Sequence, residues 1–400
     1  MRTAYLCADP GVPVFGRKGC SLHVQEMLRA LRGLGGQVSL FAASSGGEPA
    51  SDLADVPVTL LPSARQADEA QREQALLAAN LDLASALASA LAAGGRFDLV
   101  YERYSLWSHA GLEYGRAAGM PTVLEVNAPL IEEQRRYRQL YDTEAALRSA
   151  RRAFAAADVL VAVSQGVADY LETFPEARGR IHVIANGVDV TRFGKRSPAQ
   201  NQTGFTVGFV GTLKPWHGVD VLLQAFARFH AQTPESRLLI VGYGPEHPNL
   251  VAQATQLGIR AAVEFTGAVD PGQIPALLVR MDVGVAPYPE VADFYFSPLK
   301  VYEYMAAELP VVASQIGQLD ELIVDGDDGL LCPPGDAEAL CAAFARLHAE
   351  PELGRRLGRR AGAKVRAEHT WTAVAARIVD LAQVQTGGPV EAPRRAAGAR

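Results

Sequence analysis

Cysteine is scarce in this 400-residue chain: four residues, Cys7, Cys20, Cys332 and Cys341, none in a Cys-x-x-Cys pair. That spacing excludes a disulfide scaffold and a cysteine-held zinc, and it leads us to expect buried free thiols in a reducing compartment. Positive charge is also in deficit, with 38 Lys and Arg against 44 Asp and Glu and a net charge of -6, so the excess basic charge that holds a phosphate backbone is missing and nucleic acid is not an expected partner. The apolar run within Met1–Asp9 is too short for a signal peptide. No later stretch is read as approaching the length of a membrane-spanning helix, so the expected location is cytoplasmic. The three spaced glycines of the dinucleotide-binding fingerprint are absent as well.

What is present is apolar material in a regular alternation. A hydrophobic share of 48% over 400 residues supports two or three domains with separate cores. Strand patterns are read at Thr3–Cys7, Val38–Phe41, Leu99–Tyr101, Thr122–Val126, Val159–Val163 and Ile181–Ile184. Helical patterns at Ala67–Ala93, Leu106–Ala118 and Ile131–Ala156 lie between them. Such alternation implies α/β architecture with a parallel, doubly wound sheet, whose ligands bind beyond the carboxyl ends of the strands. The first strand runs into a Gly/Pro loop, in which Gly16 and Gly19 would let a ligand approach the backbone and Ser21 would cap the following helix. Two further polar stretches lie at the same edge, Tyr101–Ser105 and Glu125–Tyr137. The arginines after Pro129, with Glu132, Glu133, Asp142 and Glu144 among them, read as a solvated face rather than a membrane or anion surface. His23 and His109 stand alone on helical patterns and read as packing or surface residues.

Asn186–Asp189 closes the first half with a turn, and the polar stretch from Thr191 to Thr203 fits a linker. A second alternating series follows, with strands at Phe205–Val210, Arg237–Val241, Val263–Phe265, Val283–Ala286 and Pro310–Ala313. Its first loop, Gly211–Gly218, offers Lys214 and His217 to an anion, and Trp216 either lines a ligand or packs under the loop. In Phe294–Ser314, Ser297 and Pro298 read as an N-cap and first helical residue, so the free N–H groups that follow form an anion site. Lys300 adds charge there, and Glu303, one turn on, could bind hydroxyls. Taken alone, Lys300 and Glu303 would also suit a solvated ion pair. Asp325-Gly-Asp327 has the form of a metal-binding Asp-x-Asp but lies in a glycine turn and is discounted, so no metal site is expected. A last helical pattern spans Thr372–Val384, and the tail Thr386–Arg400 is expected to be disordered.

Gly16–Val24, Val183–Asp189, Gly208–Gly211, Leu238–Pro245, Phe265–Gly267, Val285–Tyr288, Tyr302–Ala307, Pro310–Ser314 and Asp328–Asp336, in that order, resemble the retaining glycosyltransferases of family four. The resemblance covers nearly the whole chain. It implies the GT-B architecture: two facing Rossmann-like domains with a cleft between them, and a third pattern crossing both. The implied division is an acceptor domain at 1–190, a linker at 191–203, a donor domain at 204–369, a crossing helix at 370–385 and a tail at 386–400. The family carries two glutamates separated by seven residues. Glu303 matches the second, which contacts the donor ribose, while Tyr295 stands at the first, with Asp293 near enough to substitute. Its diphosphate clamp, an Arg and a Lys, falls at Thr212 and His217, which moves the charge role to Lys214 and Lys300. A family histidine falls at Asn127, whose amide is no general base but can accept a hydrogen bond.

The resemblance therefore implies a metal-independent retaining transferase with no cofactor, using a nucleoside-diphosphate sugar of UDP or GDP type as substrate. Lys214, Lys300, Glu303 and Asn127 are the expected catalytic set. Gly16, Gly19, Gly211, Thr212, His217, Asp293, Tyr295, Ser297, Pro298 and Leu299 are the expected donor contacts. Arg17, Lys18, Arg103 and Glu133 are assigned to an acceptor that is a glycan, a lipid or a small metabolite. The alternatives are a sugar-nucleotide-binding partner protein that has lost turnover, motivated by Tyr295, Thr212 and Asn127, and a two-domain sugar-nucleotide epimerase.

Overall fold

The computed structural model describes residues 1–61, 68–194, 204–291 and 294–385. The chain folds as two compact units: unit 1 holds Met1–Val163, Val167–Ile184 and the chain from Thr372, and unit 2 holds Ser164–Gly166 and Ala185–Trp371. Most of the linker expected at 191–203, the tail at 386–400 and Asp293 lie outside the described residues.

Among the described residues, unit 1 forms a seven-stranded parallel sheet from β1 (Arg2–Cys7), β2 (Gln37–Ala42), β3 (Val58–Leu60), β4 (Leu99–Arg103), β5 (Thr122–Val126), β6 (Val159–Ala162) and β7 (Ile181–Val183), in the order β3-β2-β1-β4-β5-β6-β7. Its helices are α1 (Gly19–Gly33), α2 (Glu69–Ala78), α3 (Asn80–Gly94), α4 (Ala110–Ala117), α5 (Leu130–Tyr137), α6 (Thr143–Ala156) and α7 (Gln165–Glu172). The strand order reverses between β1 and β4, the switch point where doubly wound sheets open a crevice at the strand ends. β3 escaped the sequence pattern because Val58, Thr59 and Leu60 are all exposed at the sheet edge, so no buried alternation marks them.

The long helical pattern at Ala67–Ala93 divides at Ala79. Asn80, buried at the break, donates to the carbonyls of Leu77 and Trp107 and accepts the N–H groups of His109 and Ala110, pinning the helix pair to α4. The span Glu69–Ala93 is long and apolar enough, by length and composition, to cross a membrane, which corrects the expectation that no stretch approaches that length. Of its many leucines and alanines, Leu83 and Leu87 are buried while Leu81 is 77% exposed. The pattern at Ile131–Ala156 likewise divides, into α5 and α6, with buried Glu73 accepting the N–H groups of Tyr141 and Asp142 just before α6.

Unit 2 repeats the plan with β8 (Thr206–Val210), β9 (Arg237–Val241), β10 (Val263–Phe265), β11 (Val283–Ala286), β12 (Val311–Ser314) and β13 (Leu330–Cys332), ordered β10-β9-β8-β11-β12-β13 and parallel throughout. The helices are α8 (Val219–Gln232), α9 (His247–Gln256), α10 (Ile274–Val279), α11 (Leu299–Ala306), α12 (Gln318–Leu322), α13 (Ala337–Ala349) and α14 (Pro351–Glu368), and α15 (Trp371–Gln385) starts at the end of the unit. Alternation along β8 fills both faces: Val207 and Phe209 join one core with Phe226 and Phe344, and Val210 joins the other with Tyr302 and Met305. Here the order reverses between β8 and β11. All four cysteines are free thiols, and Cys20 alone is only half-buried.

One buried group in unit 1 is unfavourable. Glu102 on β4 is fully buried, neither carboxylate oxygen has a hydrogen-bond partner, and burial pushes its carboxyl from 4.5 up to about 7 against a weaker pull from Ser108. Below pH 4.5 the group is neutral folded and unfolded. As pH rises from 4.5 to 7 the unfolded chain ionises first, and stability falls until the loss is complete above 7. Replacing Glu102 with Gln removes the ionisation, so E102Q should match the wild type near pH 4 and exceed it above pH 7 by up to about 3 kcal/mol, taking about 1.4 kcal/mol per pKa unit. Chemical unfolding across that range measures the difference.

Candidate active site

At the switch point of unit 2, the end of β8 meets the loop after β11 and the first turn of α11. Gly211 ends β8 with φ +149°, in the region open to glycine, and a Cβ there would stand 3.0 Å from Lys300 Nζ. Gly242, after β9, backs directly onto the Gly211 carbonyl, where a Cβ would come within 2.0 Å. The two glycines let the strand ends close behind the lysine.

Lys300 is 9% exposed. Its ammonium nitrogen lies 4.2 Å from the centre of the Phe209 ring and 5.2 Å from that of Tyr288, and among the described residues it has no hydrogen-bond partner. Burial draws its pKa from 10.5 down to about 7, and the two ring faces compensate part of that cost. The expected solvated pair with Glu303 does not form. Lys300 turns inward, and Glu303 meets Arg192 at 3.4 Å, whose guanidinium also donates to the Pro271 carbonyl at 2.6 Å.

The loop after β8 contributes His217, which donates from Nδ1 to the Thr212 carbonyl and packs edge-on against Tyr288. Burial, and then the charge of Lys300, push His217 down to about 3, so its ring is neutral at physiological pH. Lys214 lies 5.5 Å from the Trp216 ring and Thr212 is exposed. Ser297 is not the N-cap: Pro298 takes that position and supplies no side-chain cap, while Ser297 accepts the Asn186 N–H at its hydroxyl, 3.3 Å. Leu299 opens the helix half-buried. Tyr295 is buried against Phe296, and its carbonyl accepts the Ser164 hydroxyl at 2.6 Å.

The strand ends of unit 1 hold a separate polar cluster. Buried Glu125 accepts from His23 Nε2 at 2.8 Å, from the Tyr101 hydroxyl and from Asn127 Nδ2, with Arg103 at 3.6 Å. Burial would raise its carboxyl, but His23 first, then Arg103 and Tyr101, hold it down at about 2. Asn127 uses one N–H of its amide on Glu125, which fixes the side chain and leaves its carbonyl oxygen and second N–H for a ligand. His23 and Glu125 are the residues that the sequence patterns missed. Glu125 stood in a stretch already marked as polar, yet its pairing with a histidine about 100 residues away has no local signal.

Gln25 braces the loop before α1 by donating to the carbonyls of Val14 and Gly16, both at 3.0 Å. Gly16 is tightly packed, whereas Gly19 faces open space. Arg17 and Lys18 are exposed at the start of α1, where Lys18 holds the N-cap position without a side-chain bond. Ser21 is buried within the helix with its hydroxyl unpartnered, so it does not cap it. Glu133 lies half-buried in the first turn of α5. The structure thus gathers Arg103 and Asn127 around Glu125, and Gly211, His217 and Lys300 around the end of β8.

Two family models match the chain: Glycosyltransferase Family 4 over residues 17–192 and Glycosyl transferases group 1 over 204–350. The chain belongs to the group 1, family 4 glycosyltransferases. Among relatives of this family, it is 31% identical over 223 residues to glycogen synthase of Mycobacterium tuberculosis, covering 54% of this chain and 52% of that one. It is 34% identical over 243 residues to D-inositol 3-phosphate glycosyltransferase of Rhodococcus jostii, covering 55% and 52%. The chain therefore spans about half the length of the curated relatives it matches. Sucrose-phosphate synthase from Thermosynechococcus elongatus superposes with a TM-score of 0.72 at 21% identity over 97% of this chain and 99% of that one. HepE of Anabaena, solved with UDP and glucose, gives 0.70 at 20% over 95% and 98%. At such identities the likeness establishes the fold, two Rossmann-like parallel-sheet domains of GT-B type.

The Glu125 cluster sets a test of stability apart from chemistry. Replacing Glu125 with Ala strands the buried His23 and Arg103 without their anion and should cost about 3–5 kcal/mol, read as a lower unfolding midpoint in denaturant. An unchanged midpoint would show that the cluster contributes no net stability.

Proposed function

We propose that the protein is a retaining, metal-independent glycosyltransferase, in which unit 2 binds a nucleoside-diphosphate sugar and unit 1 binds the acceptor. The observation that carries this proposal is Lys300, a buried lysine with no hydrogen-bond partner among the described residues, beside Gly211 at the switch point of unit 2, where a parallel sheet presents its ligand site. A diphosphate there would supply the anion that the lysine lacks. Lys214 and the uncapped N-terminus of α11 add to the same field. Glu303 is paired with Arg192 and is proposed to accept from the ribose hydroxyls. HepE binds UDP and glucose, which supports uridine donors as the first to try.

Retention rests on the family. In front-face attack, the bond from the anomeric carbon to the diphosphate oxygen breaks as the acceptor oxygen adds to the same face, and the acceptor proton passes to the leaving diphosphate. No protein nucleophile is needed. The residues act by holding charge and geometry. Asn127 is proposed to accept a sugar hydroxyl at its free carbonyl, and Arg17, Lys18, Arg103 and Glu133 to meet the acceptor. The relatives include glycogen, inositol-phosphate and phosphatidylinositol enzymes, so a glycan, a small metabolite and a lipid are all acceptor classes to test.

The test is release of nucleoside diphosphate from a panel of UDP- and GDP-sugars with candidate acceptors. Replacing Lys214 with Ala should lower kcat by roughly a hundredfold, the loss typical of one transition-state donor. Replacing Glu303 with Ala should weaken donor binding. Tight nucleotide binding without turnover on any acceptor would instead support a non-enzymatic partner protein, and conversion of donor without acceptor would support an epimerase.

A further inference from the structure

The environment of Lys300 poses a question of charge that the proposed donor site leaves open. The side chain is packed by Phe209 from β8, by Gly211 at its end, by Tyr288 after β11 and by its own helix. Among the described residues, each ionisable or charged group near it is cationic, neutral or paired elsewhere. Lys214 lies in the loop after β8 as a second cation. His217 is neutral and already donates its Nδ1 proton to Thr212, which leaves a lone pair at Nε2. The Tyr288 ring presents its face, and the Tyr304 hydroxyl accepts the Val210 N–H at 2.7 Å. Glu303 is drawn to Arg192. Among the described residues no carboxylate acts on Lys300, and burial alone sets its affinity for a proton.

A cation so enclosed is costly unless an anion arrives or the proton leaves. The nitrogen itself is buried, and Gly211 is the backbone that lies closest to it: a Cβ there would stand 3.0 Å from Nζ. We propose that Lys300 is a proton-carrying catalytic residue, which takes one proton from solvent when a nucleoside diphosphate binds and returns it when the nucleotide leaves. The ammonium then exists chiefly while it faces the diphosphate, including the charge that builds on the leaving group. This deepens the donor-site proposal and rests on it. Burial places the free lysine at about 7, so below that pH it is already charged and binding recruits no proton, and above it binding must recruit one. Nucleotide affinity should accordingly fall by about tenfold per pH unit above that point, until the pKa of the bound lysine is reached.

Calorimetry of UDP, and of GDP, binding to the full chain in buffers of different ionisation enthalpy counts that proton. At about pH 8 the nucleotide phosphates are fully ionised, and roughly one proton should be taken up per nucleotide, against almost none at about pH 6. K300R keeps a fixed charge and should bind with no uptake at either pH. The chain has five lysines, Lys18, Lys195, Lys214, Lys300 and Lys364, so the side-chain carbon signals of the wild type can be followed by NMR. One of them should titrate near 7 and move upward on adding UDP, a readout that does not depend on how well K300R folds. Binding at about pH 8 without uptake, or uptake that persists in K300R, would overturn the role of Lys300 while leaving the donor site standing. Failure of both nucleotides to bind at any pH would remove the donor site and this proposal together.

Discussion

The burial of one lysine amine with no counter-ion among the described residues is the constraint on which the arrangement of unit 2 depends. Lys300 enters the interior in the first turn of α11, so the strand end beneath it must be backbone alone, and Gly211 and Gly242 supply that at successive strands. Phe209 and Tyr288 offer ring faces in place of an acid, which stabilises a cation by a fraction of what a carboxylate would and leaves the nitrogen unsatisfied. A carboxylate at either position would satisfy the lysine permanently and remove its claim on an incoming anion. The aromatic walls keep the site dry, and the electrostatic demand remains for a ligand to meet.

Unit 1 solves the opposite problem. Glu125 is as deeply buried as Lys300, but histidine, tyrosine and asparagine side chains all donate to it and an arginine stands beside it, which keeps the carboxylate ionised. A buried charge so enclosed is finished as a structural object, and its effect passes outward by fixing its neighbours. The clearest case is Asn127, whose amide is oriented by donation to Glu125. In the same sheet Glu102, with only a weak pull from Ser108 against its burial, remains a liability that the surrounding core must outweigh.

Much of the fold was legible in the sequence because parallel strands buried on both faces appear as short apolar runs, as in Thr122–Val126 and Arg237–Val241. The strands that escaped, β3 and β13, are short edge strands of three residues, at the two ends of their sheets. Helix length was overestimated where periodicity continues across a break. Asn80 interrupts the α2–α3 pattern through four hydrogen bonds to distant partners, which hydrophobic spacing cannot register. Caps failed for a related reason: Ser21 and Ser297 have the right chemistry at nearly the right place, but one is buried inside the first turn and the other is committed to Asn186. The site was legible as positions and not as partners. Lys300 and Glu303 were found, yet their spacing favoured a mutual pair, while packing sends one inward and the other to Arg192.

The departures from the family pattern become coherent in this setting. The resemblance puts the family's permanent cations near Thr212 and His217, and His217 is held neutral by its burial and by Lys300. Two further fixed charges beside a buried lysine would disfavour its protonation still more, because like charges in a poorly solvated site raise each other's cost. Replacing them by a hydroxyl and a neutral imidazole lowers that repulsion, so the lysine can hold its proton once an anion is present. Tyr295 fits the same pattern of substitution by packing, since it contributes a buried ring and a carbonyl acceptor for Ser164 where a glutamate would bring a negative charge within the same loop as Lys300. An acid there would compete with a diphosphate for the ammonium. Among the described residues, the lack of an acid at Tyr295 and the neutrality of His217 act together: each leaves the charge on Lys300 to be decided by the ligand.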